Sequence, residues 1–339
     1  MPGRAAREVV VVTGATAGVG RATVREFARR GADVALLARG REGLEAAARE
    51  VEAAGGRALV LPTDVADGSA VEAAAERVEA ELGPIDVWVN NAFAGMFARF
   101  LDMTPEEFER VTQVTYLGQV HGARAALKRM VPRDRGVVVL VGSALAYRGI
   151  PLQSAYCAAK HALQGFQDSL RAELIHDRSR VNVTMVQLPA VNTPQFDWIR
   201  KRMAGAPRPV GPVYQPEIAA RAIWFAAHAR RKEVVVGAPA FEAIIGDKLA
   251  SPLLDRYLAR TAVEAQHDDS DLSFERPGNL FESIPGDPGA HGRFDSQARS
   301  RSPQLWAAEH RAWIAAAGAV AAAAAALGLT RARAADGAH

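Results

Sequence analysis

Seven short runs of β-branched and apolar residues recur through the first two-thirds of the chain, and most of them are apolar throughout rather than alternating with polar residues. They cover 9–13, 34–38, 58–61, 87–90, 137–141, 181–188 and 234–236. A strand that is apolar on both faces must be covered on both faces, as in a parallel sheet flanked by helices. The stretches between them, such as 21–30 and 42–54, are rich in Ala, Glu and Arg with helical patterning. Strands separated by helices imply βαβ units. The expected fold is therefore α/β, a Rossmann-type doubly wound parallel sheet of about seven strands spanning residues 7–240.

The first apolar run ends in Thr13-Gly14-Ala15-Thr16-Ala17-Gly18-Val19-Gly20, directly before a helical stretch. Glycines there allow a tight turn and close approach of backbone to a pyrophosphate, and the following helix start offers free N–H groups and a positive dipole end. A lone glycine pattern says little, but one set between the first strand and the first helix is informative.

A second pattern lies downstream. Ser143 follows Gly142 at the end of the fifth run, where doubly wound sheets place their ligands. Tyr156 and Lys160 then fall four residues apart in a helical stretch over 154–176, which puts them on one face. A free tyrosine titrates near pH 10, and a neighbouring ammonium favours its phenolate. The pairing predicts a tyrosine that exchanges protons at neutral pH.

Together these motifs resemble the short-chain dehydrogenase/reductase family over about residues 7–240. The turn is similar to that family's Thr-Gly-x-x-x-Gly-x-Gly signature. Asp64-Val65 resembles its acidic residue near the adenine, and Asn90-Asn91-Ala92 its Asn-Asn-Ala motif. The resemblance implies cofactor contacts from Thr13, Gly14, Thr16, Ala17, Gly18, Val19, Gly20, Asp64, Val65, Asn91, Lys160 and Thr193. It implies that Ser143 anchors the substrate, that Tyr156 is the general acid/base, and that Lys160 also holds the nicotinamide ribose. Two positions depart from the family. Thr115 stands where a catalytic Asn is usual, so the proton relay is expected to run through its hydroxyl or to be missing. Ala190 follows Pro189 where the family has Pro-Gly.

The second run ends Leu36-Leu37-Ala38-Arg39, with no acid to bind a ribose 2′-hydroxyl. A guanidinium pairs well with a 2′-phosphate. NADP(H) is therefore expected over NAD(H), through Arg39 with help from Arg41. The expected activity is carbonyl–alcohol interconversion by hydride transfer. A non-catalytic NADP-binding regulator is the alternative, and it would predict loss of Ser143, Tyr156 or Lys160.

Phe93, Met96 and Trp198 are expected at the substrate. Phe93 and Met96 lie near the Asn-Asn-Ala motif, with Phe97 beside them. Trp198 belongs to a long apolar segment over 195–215, also carrying Phe196, Ile199 and Met203, that resembles a substrate lid; ordinary surface packing explains the segment equally well. The single cysteine, Cys157, reads as a packing residue. His121, His161 and His176 have no partners at metal-ligand spacing, so no metal is expected. The balance of 41 Lys+Arg against 38 Asp+Glu, without basic runs interleaved with aromatics, argues against nucleic acid. The start, 1–7, carries no signal-peptide core, which favours the cytoplasm.

Beyond residue 240 the periodicity stops. Residues 241–305 read as an irregular extension, 306–330 as an alanine-rich helix, and 331–339 as a tail. The uncharged stretch 312–330 is nearly long enough to span a bilayer, but its composition is weakly apolar. A membrane anchor and a water-exposed helix both remain open, as does a homo-oligomer.

Overall fold

A computed structural model describes residues 7–268 and 278–319, with backbone alone over 239–250. Seven strands form one parallel sheet: β1 (Val9–Thr13), β2 (Asp33–Ala38), β3 (Ala58–Pro62), β4 (Val87–Asn90), β5 (Val137–Val141), β6 (Asn182–Gln187) and β7 (Glu233–Val235). Their order is β7-β6-β5-β4-β1-β2-β3. Register is direct, with Val11 beside both Ala35 and Trp88. The direction of winding reverses between β1 and β4, the position at which such sheets open a crevice.

The apolar runs are explained by what covers them. Val10 and Val12 face one core layer, with Phe27 of α1 (Gly18–Arg29), Leu44 of α2 (Arg41–Ala53) and Ile223 of α8 (Pro216–His228). Val9 and Val11 face the other layer. It contains Val78 of α3 (Gly68–Glu81), Val111 of α4 (Pro105–Thr112), Met130 of α5 (Gly118–Met130) and Leu163 of α6 (Ser154–His176). The sheet is thus buried on both sides, and every residue of β1 is buried.

The extension is less irregular than its sequence suggests. After a short α7 (Gln195–Trp198) and α8 comes α9 (Ala238–Thr261), a helix that the sequence reading placed in irregular chain. Gly246 and Pro252 weaken its helical pattern, and Pro252 sits inside it. Residues 278–302 are mostly without regular structure, followed by α10 (Pro303–Glu309) and an exposed helical stretch over 311–319. Among the described residues, no helix is long and apolar enough to cross a membrane. The remainder of the alanine-rich stretch, 320–330, and the tail at 331–339 lie outside them.

Candidate active site

Glycines shape the turn after β1. Gly14 and Gly18 have φ angles of 67° and 53°, a region costly for residues that carry a Cβ. A Cβ on Gly20 would lie 2.0 Å from the Gly14 carbonyl oxygen, so α1 packs directly onto the turn. Asn91 fastens the turn to the end of β4. Its Nδ2 donates to the Thr13 carbonyl at 3.0 Å, and its backbone N–H donates to the Thr13 hydroxyl at 2.9 Å. No side chain caps α1. Gly14, Thr16, Ala17, Gly18 and Val19 line a cleft of about 420 Å³. A helix start with no side-chain cap, beside tight glycine backbone, suits a phosphate.

The same cleft is lined by Ser143, Tyr156 and Lys160. Ser143 follows β5 in an extended conformation, and its hydroxyl accepts from the Leu145 N–H at 3.1 Å, capping a short 3-10 turn. Lys160 is 2% exposed. Its Nζ donates to the Val141 carbonyl at 2.6 Å and lies 5.6 Å from the centre of the Tyr156 ring. The sequence argument expected this ammonium to pull the tyrosine down. Burial dominates instead: it pushes the Tyr156 phenol up to about 12, against a smaller opposing effect of Ser143. Burial likewise pushes Lys160 down to about 7. Tyr156 is therefore a phenol at neutral pH, the form that gives up a proton.

At the other end, Arg39, Asp64 and Val65 line the cleft. Burial would raise the Asp64 carboxyl, but hydrogen bonds from Arg110 and the Ala66 N–H, with the charges of Arg110 and Arg39, together hold it below the usual range. Burial, and then Arg110, lower the Arg39 guanidinium. A cation disfavoured in this way marks a spot that an anion would relieve. Arg41, by contrast, is exposed and faces Glu45 at 3.7 Å.

Several expected residues do not reach the cleft. The Thr13 hydroxyl is buried and occupied by Val89, Asn91 and Ala92, so it ties strands together. Gly20 serves packing. Thr115 is fully buried; its hydroxyl donates to the Ala94 carbonyl at 2.7 Å and accepts from the Ala94 N–H at 2.9 Å. That hydroxyl braces the loop after β4, and its proton is committed to the Ala94 carbonyl. Met96 is buried in a two-residue strand, Met96–Phe97, paired with Arg200–Lys201. Phe97 lines the cleft in its place, as do Phe93, Phe196, Trp198 and Ile199. Phe93 stands edge-on to Tyr156 with ring centres 6.0 Å apart. Thr193 lines the cleft as expected, and its Oγ1 is buried without a partner among the described residues.

Sequence reasoning missed a group from beyond residue 240. Asn279, Ser283, Ile284, Gly286 and Pro288 also line the cleft. The turn-forming Gly286-Asp287-Pro288-Gly289 was the one local signal of order there.

Residues 8–204 match the family model described as short chain dehydrogenase. The chain is 33% identical over 274 residues to an uncharacterized oxidoreductase, YxnA, of Bacillus subtilis, covering 80% of this chain and 75% of that one. Two solved structures are similar. One is an alcohol dehydrogenase from the archaeon Thermococcus sibiricus complexed with 5-hydroxy-NADP, 27% identical with a TM-score of 0.57, covering 68% of this chain and 96% of that one. The other is a metagenomic short-chain oxidoreductase in complex with NADP, 31% identical with a TM-score of 0.56 and the same coverage.

Proposed function

The chain belongs to the short-chain dehydrogenase family and is an oxidoreductase of that family; from this premise, we propose that it uses NADP(H) to interconvert a hydrophobic carbonyl compound and its alcohol, with Tyr156 passing the proton. The observation that carries the reading is one cleft lined by the glycine turn at one end and by Ser143, Tyr156 and Lys160 at the other.

The residues suit a dinucleotide. The glycine turn would take the pyrophosphate, Arg39 the 2′-phosphate, and Asp64 and Val65 the adenine end. The Thr193 hydroxyl, unpartnered among the described residues and beside Gly18, fits a hydrogen-bonding group of the cofactor. The similarity to two NADP-bound structures supports the same cofactor. Bound NADPH supplies the hydride that reaches the carbonyl carbon.

The chain's own groups handle the oxygen. Ser143, at the strand end, orients it by hydrogen bonding. Tyr156, a phenol at neutral pH, would donate the proton in the reductive direction. Lys160, whose Nζ lies 5.6 Å from the ring centre, would hold the nicotinamide ribose. The apolar wall of Phe93, Phe97, Phe196 and Ile199, with Trp198, favours hydrophobic substrates.

The test is oxidation of NADPH and of NADH against a panel of aliphatic and aromatic aldehydes and ketones. Turnover with NADPH preferred is expected. Tight NADPH binding with no turnover across the panel would favour a non-catalytic regulator.

A further inference from the structure

The chain from 279 to 295 lies outside the region that matches the family model, yet it walls the cleft and is fastened along its length. At the adenosine end, the Arg39 guanidinium donates to the carbonyls of Asn279, Leu280 and Phe281. Arg110, which pairs with Asp64, also donates from Nε to the Leu280 carbonyl at 3.1 Å. Leu280 is 1% exposed and packed into the core. Beside the glycine turn, the Gly18 N–H donates to the Gly289 carbonyl at 3.0 Å, and Asp287 pairs with buried Arg21 at 3.0 Å. At the far end, Asn192 Oδ1 accepts from the Phe294 N–H at 3.0 Å, and its Nδ2 donates to Asp295 at 2.8 Å. A Cβ on Gly292 would lie 2.3 Å from the Thr193 carbonyl oxygen, so backbone lies against backbone there.

Asn279 supplies the observation that points to a ligand. It lines the cleft, and its side-chain Oδ1 is buried with no hydrogen-bond partner among the described residues. A buried acceptor left unpaired is costly, so it suits a site where a donor arrives. Its main-chain oxygen is bound to Arg39, which sets the amide beside the subsite assigned above to the 2′-phosphate. The adenosine moiety brings donors to that place: an exocyclic amine and ribose hydroxyls.

We infer that residues 279–289 are an integral wall of the dinucleotide site, with Asn279 a ligand of the adenosine moiety and the carbonyls of 279–281 positioning Arg39. This rests on the NADP(H) reading above. The Arg21–Asp287 pair and the Gly18–Gly289 hydrogen bond tie this wall to α1 beside the glycine turn, so loosening it is expected to ease dinucleotide exchange.

Calorimetry on the full chain with 2′,5′-ADP, 5′-AMP and reduced nicotinamide mononucleotide tests the inference, alongside NADPH binding by fluorescence and hydrogen exchange. Asn279→Ala should weaken both adenine nucleotides about three- to tenfold and leave the mononucleotide unchanged. Asp287→Ala should speed NADPH release. NADPH should slow amide exchange over 279–289. An Asn279 with a merely structural role would lower the melting temperature without separating the adenine nucleotides from the mononucleotide. Wild-type nucleotide affinities in both variants, with exchange over 279–289 unaffected by NADPH, would overturn the inference and leave the cofactor assignment intact. A wild-type chain that binds no dinucleotide would overturn both.

Discussion

The Lys160 ammonium donates to the Val141 carbonyl at 2.6 Å, on the strand that leads into Ser143. This bond ties α6 to β5 and sets the lysine Nζ 5.6 Å from the centre of the Tyr156 ring. Burial there disfavours the charged form, which lowers Lys160 to about 7.

That depression makes the ligand-free stability depend on pH. Between about pH 7 and 10.5 the unfolded chain carries a proton on this lysine that the folded chain lacks. Stability from this group therefore rises with pH, at most by about 1.4 kcal/mol per unit. It is absent below about 7, where both states are protonated and the folded state bears the buried charge. Lys160→Met should flatten the rise. Urea unfolding of both proteins at pH 7.5, 8.25 and 9 checks this, and parallel slopes would count against a depressed lysine.

Cofactor choice should follow Arg39. A carboxylate in place of its guanidinium repels a 2′-phosphate and accepts from a 2′-hydroxyl. Arg39→Asp is expected to lower the NADPH/NADH ratio of kcat/KM by roughly 10- to 150-fold, the range of charged hydrogen bonds. The same variant also frees the carbonyls of 279–281. Its hydrogen exchange should therefore be compared with wild type before the kinetics are interpreted.

Packing of the glycine turn is a stability question as well as a binding one. A methyl group at position 20 would meet the Gly14 carbonyl at 2.0 Å and the Asn91 amide at 2.6 Å. Neither is a flexible side-chain end that can move away freely. Gly20→Ala should cost at least about 1–3 kcal/mol, read as a lower melting temperature together with weaker NADPH binding. A variant with wild-type stability would show that the turn can relax.

The sheet was legible in the sequence because its signal is local: unbroken apolar runs between helical stretches. Helix 154–176 was legible for the same reason. The roles of single hydroxyls were not. Thr13 and Thr115 occupy motif positions, but their partners, Val89 and Ala94, are far away in the chain, and a threonine that braces a loop is spelled the same way as one that relays a proton. Met96 and Phe97 differ in access only because one strand pairing, with Arg200–Lys201, sets which of them faces the cleft. The wall from 279 to 289 was invisible for a third reason. It is held by backbone carbonyls and by a 266-residue separation between Arg21 and Asp287, and neither leaves a periodic trace. Lys160 does not pull Tyr156 down because both groups are buried, and desolvation outweighs the proximity of the charge.

The most direct measurement is single-turnover reduction of a carbonyl substrate by NADPH in wild type and Tyr156→Phe, with NADPH affinity measured on both. If Tyr156 supplies the proton, the phenylalanine variant should bind NADPH nearly as well and lose roughly 10²–10⁴-fold in the chemical step. Turnover by Tyr156→Phe at close to the wild-type rate would contradict that role.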